Sequence, residues 1–373
     1  MTIVPVMVPH PAAERPFRSL ARQHRSQATE RDPNMAVNTT TGEEIVVPGA
    51  PDIPGLRFRR FRGKEDFPGM VEVFNAVHLA DGLDDTRTVE EMDKAYSNLR
   101  NSDLQKDLVI VEVNGKVVGY KRTEWWAELD GTHIYAHFGF LDPEWRGKGI
   151  GTALFRHSED RIRKIVAEQP GDFQRLIETW AYDSQKYLSE IIEREGYVDV
   201  RYGFELVRPN LDNIPEAPMP EGLEIRPVKP EHYRAIWEAE VEAFRDHWGM
   251  EETQEGDYER WLAQTPFEPE LWKVGWDGDQ VAGMVRNFVN REFNDRHNRK
   301  RAYTEYISTR RPWRRRGLAR ALIADSLRMQ KAMGMEESAL SVDAQNPSGA
   351  LELYKSMGFE VVRRNTTYRK ELK

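Results

Sequence analysis

Two short stretches of the chain run cations and glycine directly into the start of an apolar-periodic helix. One is Arg146, Gly147, Lys148, Gly149, Ile150 and Gly151, after Trp145; the other is Arg314, Arg315, Arg316, Gly317, Leu318, Ala319 and Arg320, after Trp313. The second is the denser, with five arginines in the seven positions from Arg310 to Arg316. A glycine where strand becomes helix leaves free backbone N–H groups and the positive end of the helix dipole facing outward, and lets a ligand approach the backbone closely. Arginines beside such a junction add charge-assisted, often bidentate, hydrogen bonds to a diphosphate. A solvated basic face, an ionic contact within the protein or a nucleic-acid contact would explain an arginine run alone. The glycine at the same junction in both stretches favours the phosphate cradle, because a nucleic-acid patch has no need of it.

The elements that must position these loops occur twice. Gly55-Leu-Arg-Phe-Arg and Gly222-Leu-Glu-Ile-Arg each open a strand. Leu108 to Tyr120 and Leu271 to Met284 each give two apolar runs joined by Asn-Gly or Asp-Gly, a strong hairpin signal. Trp145 aligns with Trp313 and Gly149 with Gly317; further on, Gly196 aligns with Gly358. Copy one is about six residues longer around Glu168-Gln-Pro-Gly-Asp-Phe-Gln, where a longer surface loop is expected. The expected layout is a proline-rich, disordered or draped extension over 1–54, a first domain over 55–207, a stiff linker over 208–221 and a second domain over 222–373, with Met35 as a possible natural start.

The bulk numbers bound the rest. At 373 residues the chain suits two cores of ordinary size. With 54 basic and 62 acidic residues its net charge is −8, which argues against a general nucleic-acid partner. It has no cysteine, so disulfides, thiolate metal sites and a cysteine nucleophile are excluded. The apolar patches near the start are broken by prolines, so no membrane segment is expected and the protein reads as cytoplasmic.

Arg314-x-x-Gly317-x-Ala319 and Arg146-x-x-Gly149-x-Gly151 resemble the pyrophosphate loop of the GNAT superfamily of acyl-CoA-dependent N-acyltransferases. The resemblance covers both copies and includes the order of strands and helices. It implies an α/β (α+β) mixed sheet in two tandem GNAT domains, with acetyl-CoA as co-substrate and no metal. Acyl transfer to an amine needs a base, a donor to the thioester oxygen and an acid for the leaving thiolate. By the resemblance the base is a carboxylate on the strand leading to the Arg/Gly loop, a place held by Glu305, with Tyr303 and Ile307 on its side by alternation. The bland alternative is a strand glutamate paired with an arginine. Backbone N–H groups of Ile307, Ser308 and Thr309 would hold the thioester. In Ser341-Val-Asp-Ala-Gln-Asn346-Pro, followed by Tyr354, the resemblance puts Asn346 on the CoA arm and makes Tyr354 the acid; a tyrosine packed beneath the cofactor is the alternative.

Copy one departs from this pattern. His137 falls opposite Glu305, Ser184 opposite Asn346 and Ile192 opposite Tyr354. His133 and His137 share a strand face but lack clear further ligands for a metal. The tandem arrangement resembles the mycothiol synthase family in architecture, which carries no statement about the acceptor. The expected activity is acetyl transfer to a primary amine of a small polar acceptor in the second copy, with a degenerate first. A non-catalytic acyl-CoA sensor is the alternative. The acceptor is expected beside Glu305, bordered by Arg245, Asp246, His247 and Trp248, and the acidic stretch Glu251 to Asp257 favours a cationic one.

Overall fold

A computed structural model of the chain describes residues 42–97, 99, 101–264, 266–346 and 348–372. Met35, most of the proline-rich extension and Pro347 lie outside them. The first half comprises β1 (Leu56–Arg60), α1 (Phe67–Ala80), α2 (Val89–Ser97), α3 (Leu104–Asp107), β2 (Leu108–Val113), β3 (Lys116–Ala127), β4 (His133–Leu141), α4 (Ile150–Ala167), β5 (Arg175–Tyr182), α5 (Lys186–Arg194) and β6 (Val198–Arg208). The second follows with β7 (Glu224–Arg226), α6 (Tyr233–Phe244), α7 (Asp257–Leu262), β8 (Lys273–Asp277), β9 (Gln280–Phe288), α8 (Arg291–His297), β10 (Arg301–Thr309), α9 (Leu318–Ala332), β11 (Glu337–Asp343), α10 (Ala350–Ser356) and β12 (Glu360–Glu371). No helix among the described residues is long and apolar enough to cross a membrane.

All twelve strands form one sheet in the order β1-β2-β3-β4-β5-β12-β6-β11-β10-β9-β8-β7. The halves have exchanged their last strands. β12 lies beside β5 of the first half, with Tyr368 opposite Thr179, and β6 lies beside β11 of the second, with Leu206 opposite Leu340. Each exchanged strand completes the other half's core. Tyr368 is buried with Tyr135 and Ile177, and Leu206 with Leu322 and Leu340. Arg369 of β12 reaches Glu178 at 2.7 Å, a buried ion pair that ties the exchange together.

Helical period selects the faces that cover the sheet. Phe67, Met70, Phe74 and Val77 of α1 pack on the first half, and Leu318, Leu322, Ile323 and Leu327 of α9 on the second. Ala319 is less buried and faces the cavity described below. Both hairpins form, at Asn114-Gly115 and at Gly278-Asp279. The second turn sits one residue later than Asp277-Gly278, because Asp277 pairs with Gln280 and places Gly278 at the positive φ of 54°. The extra residues of copy one form a mostly exposed loop between α4 and β5.

The proline-rich segments ahead of β1 and β7 are themselves a repeat. Val47-Pro-Gly-Ala-Pro-Asp-Ile-Pro-Gly-Leu56 aligns without a gap to Ile214-Pro-Glu-Ala-Pro-Met-Pro-Glu-Gly-Leu223. Val47, Ala50 and Ile53 pack against Ile150 and Leu154 of α4. Ile214, Ala217 and Met219 join the core beneath α9 in the same way. Proline suits these straps, which need no ladder N–H.

Candidate active site

The parallel strand pair β10–β11 holds together only from Arg301 to Tyr303; beyond that point the strands diverge and open a notch in the sheet. β10 also carries a bulge, in which Tyr306 and Ile307 together stand opposite Val285 of β9. Tyr306 has φ 51°, a strained value for an aromatic residue that costs on the order of 1–3 kcal/mol. A stack supports it: the Arg286 guanidinium lies 4.3 Å from the Tyr306 ring and also covers Trp272, and is held by buried Glu240 at 3.1 Å. The bulge ends the alternation that placed Ile307 on Glu305's side.

Glu305 fills the notch. Its Oε1 accepts a hydrogen bond from the Ser341 N–H at 2.9 Å, a β11 donor that the divergence of β10 has freed. Burial, opposed by this hydrogen bond and reinforced by the nearby charge of Glu205, pushes its pKa up to about 8. The arginine-paired alternative for Glu305 finds no counterpart, since no ion pair to it occurs among the described residues. Tyr354 of α10 is buried at 6% exposure, and its hydroxyl makes no hydrogen bond to a described residue. Burial and the charge of Glu305 push its pKa well up, so it stays protonated.

Glu305 and Tyr354 open onto one cavity of about 1660 Å³ that extends between the two halves. Ile307, Ser308 and Thr309 line it at the bulge, and Asn346 lines it at the end of β11. Asn346 Oδ1 accepts from the Ser348 N–H at 2.9 Å, which fixes the turn and leaves the amide nitrogen for other partners. Of the segment expected to border the acceptor, Asp246, His247 and Glu251 line the cavity. Trp248 instead lies against Arg369 and Arg201, and Glu251 also bridges to Glu128 of the first half.

The Arg/Gly loop enters α9 through Gly317 at φ 91°, preceded by Arg315 at φ 63°. In the first half Gly149 and Gly147 take φ 90° and 72° at the matching places, so the two loops share one backbone shape. Successive N–H groups in such a conformation form an anion-binding concavity. The side chains are more constrained than the sequence suggested. Arg314 donates to Asp246 at 2.8 Å and to the Thr309 carbonyl at 3.0 Å, Arg311 forks onto Asp246, and Arg310 pairs with Glu242 at 2.7 Å. Three arginines of the run thus hold the C-terminal end of α6 against the loop. Arg316 turns toward the Glu221 carbonyl, outside the cavity, and Arg320 donates to Ser356. Arg314, Arg315, Gly317, Leu318, Ala319 and Arg320 line the cavity; Arg315 makes no hydrogen bond or ion pair to a described residue.

The first half repeats the clamp without the notch chemistry. Arg146 forks onto Asp81 at the end of α1, as Arg314 reaches Asp246 at the end of α6. Tyr187 stacks under Arg146 at 3.9 Å and, with Gln185, also donates to Asp81. Lys148 lies over Trp145, and Ile150 is fully buried. β4 runs along β3 without a bulge. His137 is fully buried and bonded to the Tyr197 hydroxyl at 2.7 Å, His133 stacks on Phe173, and Ile192 is fully buried where α10 presents Tyr354.

Sequence reasoning missed Tyr306 and Arg286 as site-forming residues, and placed Asp246 beside the acceptor without its role as the anchor of Arg311 and Arg314. The signal for Asp246 was present, because an aspartate ends the first helix of both copies.

The acetyltransferase (GNAT) family matches over residues 76–169 and 233–359, more than half of the chain. A mycothiol acetyltransferase of Streptomyces bingchenggensis is 27% identical over 316 residues, covering 82% of this chain and 94% of that protein. Another from Salinispora arenicola is 27% identical over 263 residues, covering 68% and 77%. Among solved structures, a GCN5-related N-acetyltransferase from Sphaerobacter thermophilus superposes with a TM-score of 0.66 at 28% identity, covering 85% of this chain and 95% of that one. A tandem GNAT protein from the clavulanic acid biosynthesis pathway shares the fold at TM-score 0.58 and 17% identity, covering 85% and 98%. The notch, the twin loops and these likenesses agree: the chain belongs to the GNAT family of acetyltransferases, in its tandem form.

Proposed function

We propose that the second half transfers an acetyl group from acetyl-CoA to a primary amine of a small polar acceptor, and that the first half is degenerate. The observation that carries this reading is the convergence of Glu305, Tyr354 and the bulged strand on one cavity. An alkyl-ammonium acceptor titrates near ~10.4 and must lose a proton before it can attack. Glu305, raised to about 8, is matched to take that proton near neutral pH. The amine then attacks the thioester carbonyl. N–H groups around Ile307 to Thr309 stabilise the charge developing on its oxygen, and Tyr354 protonates the departing thiolate. The Gly317 loop holds the pyrophosphate, with Arg315 and Arg320 as cations at the cavity and Asn346 toward the CoA arm.

Catalysis is assigned to the second half because the first lacks the bulge, the carboxylate and the tyrosine. The acceptor reaches Glu305 from the part of the cavity between the halves, where Trp180 and Tyr182 offer flat apolar surface and the carboxylates Asp84 and Glu205 are already paired with arginines, Glu205 with Arg363 at 2.6 Å. Relatives named mycothiol acetyltransferase favour an acceptor of mycothiol type. The test is free-CoA release from acetyl-CoA with a panel of amino sugars, aminoacyl amino sugars, aminoglycosides and polyamines. Release with one class, lost in Tyr354→Phe, supports the reading. Binding of acetyl-CoA without release on any acceptor favours a sensor.

A further inference from the structure

The first half keeps a second groove of about 510 Å³, bounded by the Gly147–Gly149–Gly151 loop, α4 and α5, whose inner end at Tyr120, Lys121, Gly139 and Phe140 also borders the larger cavity between the halves. Lys121 lies at its inner end. It is only 5% exposed, yet its Nζ makes no hydrogen bond or ion pair to a described residue and rests 3.9 Å from the centre of the Phe155 ring. Opposite it on β4 stands Gly139, where even a Cβ would fall 2.9 Å from the Cβ of Lys121. Glycine is needed there because β3 and β4 approach too closely for a side chain, a Cβ falling 2.2 Å from the Tyr120 carbonyl oxygen.

A buried ammonium without a counter-ion is costly, and the chain relieves that cost by losing the proton. Burial pushes the Lys121 pKa down to about 7, so near neutral pH much of it is free amine, the nucleophilic form. On the same side of the sheet, diagonal to Lys121, is His137. Its Nε2 meets the Tyr197 hydroxyl, which gives its own proton to Glu159 at 3.0 Å. Nε2 must therefore carry the hydrogen, which leaves the unpartnered Nδ1 with a free lone pair. In the second half the residue matching Lys121 is Val285, opposite the bulge, which is fully buried and carries no amine. The second half must draw its amine from a separate acceptor, whereas the first carries one at the end of its own groove.

We propose that Lys121 is a self-acetylation site, modified by acetyl-CoA held on the Gly147–Gly151 loop of the same chain. The Lys121 nitrogen bonds to the thioester carbonyl carbon, the carbon–sulfur bond breaks, and CoA leaves as the thiol, taking up the proton that the nitrogen loses. The product is a neutral amide, which removes the buried charge.

The test is incubation of the full-length protein with acetyl-CoA and no acceptor, read by intact mass and peptide mapping. The expected result is one acetyl group at Lys121, lost in the presence of excess CoA and lost in Gly149→Val, whose loop cannot keep its positive φ. A Glu305→Gln/Tyr354→Phe double variant, disabled in the second half, is expected to acquire the same group. Absence of acetyl at Lys121 in the unaltered protein overturns the proposal. So does labelling that persists with excess CoA or in Gly149→Val, which would mark unassisted chemistry. Labelling lost in the double variant also overturns it, because the second-half site would then be the agent.

Discussion

Glu305 couples catalysis to stability in a way that a single substitution exposes. Its carboxyl is neutral in the folded protein up to about pH 8, whereas in the unfolded chain it ionises near 4.5. A raised folded pKa means that the associated stability is fully present below pH 4.5 and is lost as pH rises through 8. At ~1.4 kcal/mol per pH unit the loss between pH 5 and pH 8 is at most about 4 kcal/mol, and about half that once cavity water screens the partly exposed carboxylate. In a Glu305→Gln variant the amide keeps an acceptor for the Ser341 N–H and never ionises. Urea unfolding of both proteins at pH 5, 6, 7 and 8 is therefore expected to show the variant gaining on the unaltered protein by about 2 kcal/mol across the series. A difference that does not change with pH would refute the buried-acid assignment.

Ending the chain after Gly358 removes β12, which bares the edges of β5 and β6, and is expected to unfold both halves; a first half that retains its circular dichroism and stays monomeric would contradict the strand exchange. Arg286→Met leaves Glu240 buried without its partner and Tyr306 without its stack, for a cost of about 3–5 kcal/mol in denaturant unfolding. Leu322→Ala, at a fully buried position of α9, should cost about 2–5 kcal/mol in the same assay. Gly317→Val forces a β-branched residue into φ 91°, so calorimetry is expected to show acetyl-CoA affinity lost from the second half.

The loops, hairpins and half-by-half strand order were legible because each is a local pattern and each occurs twice. Comparing the copies also held information left unread: the decapeptides ending at Leu56 and Leu223 match without a gap, so the supposed linker is part of the repeat. The strand exchange was not legible, because the alternation within β6 and β12 is the same whichever β5-type strand they pair with. The bulge at Tyr306 depends on register against β9, and no residue type in Tyr-Thr-Glu-Tyr-Ile-Ser-Thr announces it. The arginine run showed its charge but not its partners. Asp246 and Glu242 lie more than sixty residues earlier, and the fold alone brings them to Arg310, Arg311 and Arg314.

The most direct test of the account is the pH dependence of kcat/KM for acetyl transfer, measured by free-CoA release with the best acceptor of the panel, in the unaltered protein and in Glu305→Gln. The account predicts an acidic limb with its midpoint near 8 and a loss of about 10²–10⁴-fold in the variant, together with disappearance of that limb. An acidic limb that survives unchanged in Glu305→Gln, at an undiminished rate, would place the base elsewhere and contradict the assignment of catalysis to this notch.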